Sequence, residues 1–188
     1  MAARQPAPQP LRLVEEFVNT TDDDAEDLTS PDALAAWYAS HDLLPNNAAA
    51  TNDDLARALA VREALRSLLL ANNGYPLDPA AVAVLNDFTS AAPLRLRFDS
   101  NAAAALVPGS GGVDAALARI LVVVLESMAD GTWERLKTCR SETCEWVFYD
   151  SSKNHSAAWC SMRVCGNRQK ARRYRSRKRG ELAATAAG

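Results

Sequence analysis

A chain of 188 residues can hold one ordinary domain and a small module, and is too short for several independent cores. Its 48% apolar and 23% charged residues are those of a globular protein, and a net charge of -2 argues, taken alone, against nucleic acid. The distribution reverses that exclusion: residues 134–188 carry 13 Lys+Arg against 5 Asp+Glu (net +8), whereas residues 1–133 carry 8 against 18 (net -10). A basic end on an acidic chain suits a protein that meets phosphates with one part and keeps the rest away from them.

Residues 1–10, rich in Ala, Pro and Gln, predict a disordered leader without the apolar run of an export signal, so a cytoplasmic, nucleoid-associated location is expected. Leu13, Val14, Phe17 and Val18 are spaced for a short buried helix, and the acidic run Thr21 to Asp27 reads as a loop with Asp22, Asp23 and Asp24 solvated. Ser30-Pro31 supplies a cap and a first-turn proline for a helix carrying Leu34, Trp37 and Tyr38, ending near His41 to Pro45. Thr51-x-x-Asp54 is a capping box opening a long helix, about Asn52 to Ala71, stopped by Asn72-Asn73-Gly74. Arg62 falls inside its apolar stripe of Leu55, Ala58, Leu59, Leu65 and Leu69. A buried guanidinium needs a partner: either an ion pair with Glu15, Glu16 or a nearby Asp, or an anionic ligand, for which Arg62, Glu16 and Asn19 are the candidate residues. Asp78-Pro79 starts a helix through Phe88. The alternation of Leu94-Arg95-Leu96-Arg97-Phe98, a turn at Asp99 to Asn101, and Ala103 to Val107 predict a β-hairpin with Leu94, Leu96 and Phe98 facing the core. A strongly apolar helix from about Asp114 to Met128 follows, too short to span a bilayer, and suits a central core position or a dimer seam.

All four cysteines lie in the last third, as Cys139-x4-Cys144-x15-Cys160-x4-Cys165. Two close pairs separated by a loop are the layout of a four-thiolate metal site, and the metal holds together a segment too short to bury its own core. Disulfides fit less well without an export signal, and His155 inside the loop is a further conceivable donor. The spacing suits zinc and iron alike. Trp146, Phe148 and Trp159 are expected as a mini-core over the metal, and Asn167 as the N-cap of a helix reaching about Arg179. That helix gathers Arg168, Lys170, Arg172, Arg173, Arg175, Arg177, Lys178 and Arg179 as candidate nucleic-acid-binding residues.

Cys165-Gly166-Asn167-Arg168, with Lys137-Thr138-Cys139-Arg140, Cys144-Glu145-Trp146-Val147-Phe148-Tyr149-Asp150 and Trp159-Cys160-Ser161, resembles the CGNR zinc-finger family of bacterial transcription regulators. Leu13-Val14-Glu15-Glu16-Phe17-Val18-Asn19-Thr20 is similar to the opening motif of the ABATE-type domain that precedes this finger; where the family has Asp, this chain has Glu16. The resemblance implies one structural zinc on Cys139, Cys144, Cys160 and Cys165, a sensor-like helical domain and a link to stress.

The expected fold is therefore mostly α with a small β-hairpin. A disordered leader (1–10), a helical sensor domain (11–133), the finger with its basic helix (134–180) and a disordered tail (181–188) follow one another. No Ser/His/Asp set, phosphate-binding Gly loop or open three-ligand metal motif is present, so an enzyme is not expected. The expected partner is DNA, with a small-molecule ligand and a second copy of the chain as further candidates, and no membrane. A zinc-stabilised module binding protein or RNA is the alternative.

Overall fold

The computed structural model describes residues 5–22, 25–172, 174 and 175. Ahead of the basic helix near the C-terminus come five helices, α1 (Arg12–Val18), α2 (Pro31–Ser40), α3 (Asn52–Asn72), α4 (Pro79–Ala91) and α5 (Gly112–Asp130), and two separate antiparallel strand pairs, β1 (Leu94–Phe98) with β2 (Ala104–Pro108) between α4 and α5, and β3 (Leu136–Thr138) with β4 (Val147–Tyr149) after α5. The fold is mostly α with a small β component, as the sequence pattern predicts.

The caps act where the sequence places them. Ser30 accepts from the Ala33 N–H, Asp78 accepts from the Ala80 N–H, and Thr51 and Asp54 close a reciprocal capping box at the start of α3. α3 is the hub, touching all four other helices as well as β3. Its Ala58, Val61, Leu65 and Leu69 meet Val14, Phe17 and Val18 of α1, Leu34 and Tyr38 of α2, and Ala116, Leu117 and Ile120 of α5 in one buried cluster. α5 adds Val113, Ala116, Leu117, Ala118, Ile120, Val123 and Val124 to the same core, while its Leu125 and Met128 stay exposed. Within residues 5–10, Ala7 is buried, and its N–H donates to Glu15 Oε2 at 2.6 Å. Burial pushes the Glu15 carboxyl up.

Two expectations are corrected. The hairpin forms in the expected register, Leu96 opposite Leu106 and Phe98 opposite Ala104, but only its base leans on the core, through Leu94. Leu96 and Phe98 are each 62% exposed, because the strands extend past the helices that would have covered them. Arg62 is buried as its position in the stripe demands, but its partners are not Glu15, Glu16 or an Asp. Its Nη1 and Nη2 donate to both carboxylate oxygens of Glu26 at 2.7 Å, Nε donates to Glu63 at 2.8 Å, and Nη1 also reaches Thr20 Oγ1 at 3.0 Å. Glu26 comes within reach because the acidic loop folds back on itself, Thr21 bridging to Glu26; Asp23 and Asp24 lie outside the described residues. Burial works against the Arg62 charge, but hydrogen bonds to the two carboxylates raise its pKa further.

Two stability measurements follow. Glu26→Gln leaves the Arg62 guanidinium buried with one half-exposed carboxylate, and should cost about 3 kcal/mol in denaturant unfolding. The Arg62 hydrogen bond holds the Glu26 carboxyl below its ordinary value, so this contribution is complete at neutral pH and is lost as the pH falls through the carboxylate range. Tyr38 is wholly buried with a hydroxyl that has no hydrogen-bond partner. Tyr38→Phe should be neutral or stabilising by up to about 1 kcal/mol in the same assay.

Candidate metal centre and basic helix

β3 and β4 run antiparallel with Lys137 opposite Phe148, and a turn between them carries the first cysteine pair. The Cys139 N–H donates to Trp146 O at 3.0 Å and the Cys144 N–H to Ser141 O at 2.9 Å, which closes the knuckle. The second pair lies around a π-helical turn, Met162–Gly166, capped by Ser161, whose Oγ accepts from the Val164 N–H at 3.3 Å. At Gly166 a Cβ would come to 2.5 Å from Met162 Sδ and 3.3 Å from Trp159 Cδ1, so the absence of a side chain lets the turn close against the finger.

The four sulfurs converge. All lie within 4.8 Å of one another, with Cys144 to Cys160 at 3.5 Å and Cys160 to Cys165 at 3.6 Å. Metal–sulfur bonds of about 2.3 Å in a tetrahedron place sulfurs about 3.8 Å apart, whereas a disulfide needs about 2.05 Å. No disulfide joins any of these four cysteines. Their proximity makes ionisation a shared matter: hydrogen bonds from Cys144 and Cys160 push the Cys139 thiol down to about 2, Cys139 and Cys144 push Cys160 up, and burial pushes Cys165 up to about 12. Four thiolates can coexist here only around a cation. The donor set fits one metal ion, zinc is consistent with it, and a closed tetrahedron leaves no position for substrate. His155 is exposed and not among the converging donors.

Two polar arrangements that sequence reasoning missed hold this centre in place. Asp150, wholly buried, accepts from Lys137 Nζ at 2.9 Å and from the Ser152 and Ala157 N–H groups, while Lys137 also donates to His155 O at 2.6 Å. Burial opposes the Asp150 charge, but hydrogen bonds from Ser152 and Lys137 bring its pKa down to about 2. The second arrangement joins finger to helices. Asn19 accepts from the Val147 N–H at 2.8 Å and donates to Val147 O at 2.9 Å, replacing a missing strand neighbour. Arg66, buried, donates to Val18 O and Glu145 O. Asn72 donates to Trp133 O and Leu136 O, and Asn73 to Thr138 O and Ala158 O. Asn72 and Asn73 read as a helix stop in the sequence; their side chains then serve as clamps. The signal for Arg66 was available: a second arginine one turn beyond Arg62 on the same helix.

Leu136 and Val147 belong to the main hydrophobic cluster, whereas Cys139, Phe148 and Cys165 form a smaller one with Trp159 packed against it. Trp146 is not part of that mini-core: it sits in the knuckle before β4 begins and is 40% exposed. Nor is Asn167 a cap. It is itself helical (φ -71, ψ -37), because the turn Met162–Gly166, capped by Ser161, already runs into it. Helix continues over 167–172 and at 174 and 175. On it Arg168, Lys170, Arg172 and Arg175 are exposed; Arg173, Arg177, Lys178 and Arg179 lie outside the described residues. Arg168 donates to Thr143 Oγ1 at 3.1 Å, and Arg172 to Glu142 Oε2 at 2.5 Å. The three ligand candidates are each engaged elsewhere: Arg62 with Glu26 and Glu63, Glu16 with Arg12 at 2.7 Å and His41 at 3.4 Å, and Asn19 with Val147.

A family model described as "CGNR zinc finger" matches residues 135–178, the segment that contains all four sulfurs. A second, ABATE, described as "Putative stress-induced transcription regulator", matches residues 11–131, well over half of the chain. The chain is an ABATE-family protein with a CGNR zinc finger. No curated protein matches it. Both families are of regulator or zinc-finger type rather than enzyme families. Among the described residues no helix is long and apolar enough to cross a membrane.

Elemental analysis of the purified protein should find about one zinc per chain. Cys160→Ser should lose it, and because Leu136 and Val147 are part of the helical core, the loss should lower the thermal midpoint of the whole chain in one transition. A helical-body transition unchanged by metal removal would contradict that coupling.

Proposed function

We propose that the chain is a DNA-binding regulator whose zinc centre fixes a basic helix as the surface that contacts DNA. The observation that carries this is continuity: the turn holding Cys165 runs without a break into the helix bearing Arg168, Lys170, Arg172 and Arg175. A helix anchored to a metal at its first turn presents its charges in one direction, and a rigid basic helix fits the major groove of B-DNA. The transcription-regulator family and the net +8 of residues 134–188 support the same reading. The metal, held by four thiolates, serves structure and not catalysis, so the function is binding.

Of the residues that could meet a small-molecule ligand of residues 11–133, Arg62 is held between Glu26 and Glu63 of its own chain. A cleft of about 330 Å³ is lined by Asn72, Glu134, Lys137 and His155, none of them among those three candidates.

Fluorescence anisotropy with duplex DNA over a range of salt tests the proposal. With about five phosphates neutralised, log affinity should fall against log salt with a slope of about -4 to -5 per finger. Deletion of residues 168–188 should abolish binding at physiological salt. Retained affinity with an unchanged slope would remove this helix from the interface, and salt-independent binding to a protein partner would favour the interaction-module alternative.

A further inference from the structure

Arg168 and Arg172 do not project freely from the basic helix. Both are held by the knuckle of the first cysteine pair, one by Thr143 and the other by Glu142. The knuckle is fixed by its own backbone turn and by Ser141, which is buried. Glu142 and Arg172 keep side-chain exposures of 64% and 58%, so their ion pair lies at the surface and contributes little to stability.

A carboxylate at this place has opposite effects on the two kinds of DNA contact. Beside a phosphate it repels, and an arginine that tracks the backbone is better without it. Beside base edges it is tolerated, because cytosine N4 and adenine N6 offer donors in the major groove. It also biases where the guanidinium points, and an arginine already turned toward the groove is favoured for bidentate recognition of guanine O6 and N7. An acid pinned against the basic helix thus marks the part of the surface that points into the groove.

We propose that Glu142 is a specificity-determining positioning residue, holding Arg172 for a guanine while Thr143 holds Arg168 beside it, so that knuckle and helix form one reading surface. The inference rests on the DNA-binding reading above and narrows it: Arg172 reads a base, and Lys170 and Arg175 serve the backbone.

The experiment uses the full-length, zinc-loaded protein. A preferred duplex is first selected from a random pool. Dissociation constants are then measured on it and on its single-base variants, at two salt concentrations, for the natural protein, Glu142→Ala, Glu142→Gln and Arg172→Lys, with zinc content checked for each. Glu142→Ala should reduce the preference for guanine at one position about two- to fivefold while leaving the salt slope unchanged. Arg172→Lys should lose preference at the same position, and Glu142→Gln, which keeps an acceptor for Arg172, should lose less. Unchanged preference in Glu142→Ala, or uniformly tighter binding to all sequences, would overturn the inference, the latter because it makes Glu142 a simple repulsive charge. DNA binding without any sequence preference overturns it and leaves the DNA-binding reading standing. Absence of DNA binding by the natural protein overturns both.

Discussion

Where β3 and β4 enter the helical core, a four-cysteine module meets a mostly helical body through two apolar side chains, Leu136 and Val147, both fully buried. A two-stranded ribbon of three residues per strand has no independent stability. Its open edges are satisfied instead by Asn19, Arg66, Asn72 and Asn73, whose side chains supply the hydrogen bonds that further strands would have made. The arrangement settles a backbone problem: polar groups brought into the interior need partners, and amide and guanidinium side chains from α3 and the end of α1 provide them. The metal orders the far side of the same ribbon. Body and metal therefore each complete a structure that the other leaves unfinished.

The same joint gives the basic helix its direction. Cys139 is the residue after β3, Cys165 lies in the turn that begins the basic helix, and the sulfurs of both belong to one cluster. Orientation passes from α3 through β3 and the metal site to Arg168 and Arg172 without a flexible linker. A buried lysine–aspartate pair pins the intervening loop, so the fifteen residues between the cysteine pairs do not loosen the arrangement.

Most local structure was legible in the residues, because caps, proline positions and turn chemistry act over four or five residues. Ser30, Thr51 with Asp54, and Asp78 all cap as their spacing predicts. The metal ligands were legible for a similar reason: x4 pairs leave few geometries. What escaped depends on long-range neighbours. Arg62 had to be paired, but that Glu26 would be the partner follows from how the acidic loop folds back, 36 positions away. The Asn19–Val147 contact spans 128 positions and has no periodic signature. The hairpin illustrates the limit of alternation, which states that one face is apolar but not whether a neighbour covers it. Asn167 shows a local rule giving way to its neighbours, since a good capping residue continues the turn Met162–Gly166 that already runs into it.

The uncovered hairpin also carries its own protection against misuse. β1 and β2 form a sheet of two strands, so each presents an unpaired edge, and Leu96 and Phe98 offer apolar surface beside it. Such an edge is a template on which a neighbouring chain can add a strand. Arg95 and Arg97 occupy the alternate positions, and a second copy stacking in register would bring like charges together at every other residue. With Leu96 and Phe98 uncovered, Arg95 and Arg97 are the charges placed to oppose edge-to-edge pairing of this hairpin with a neighbouring chain.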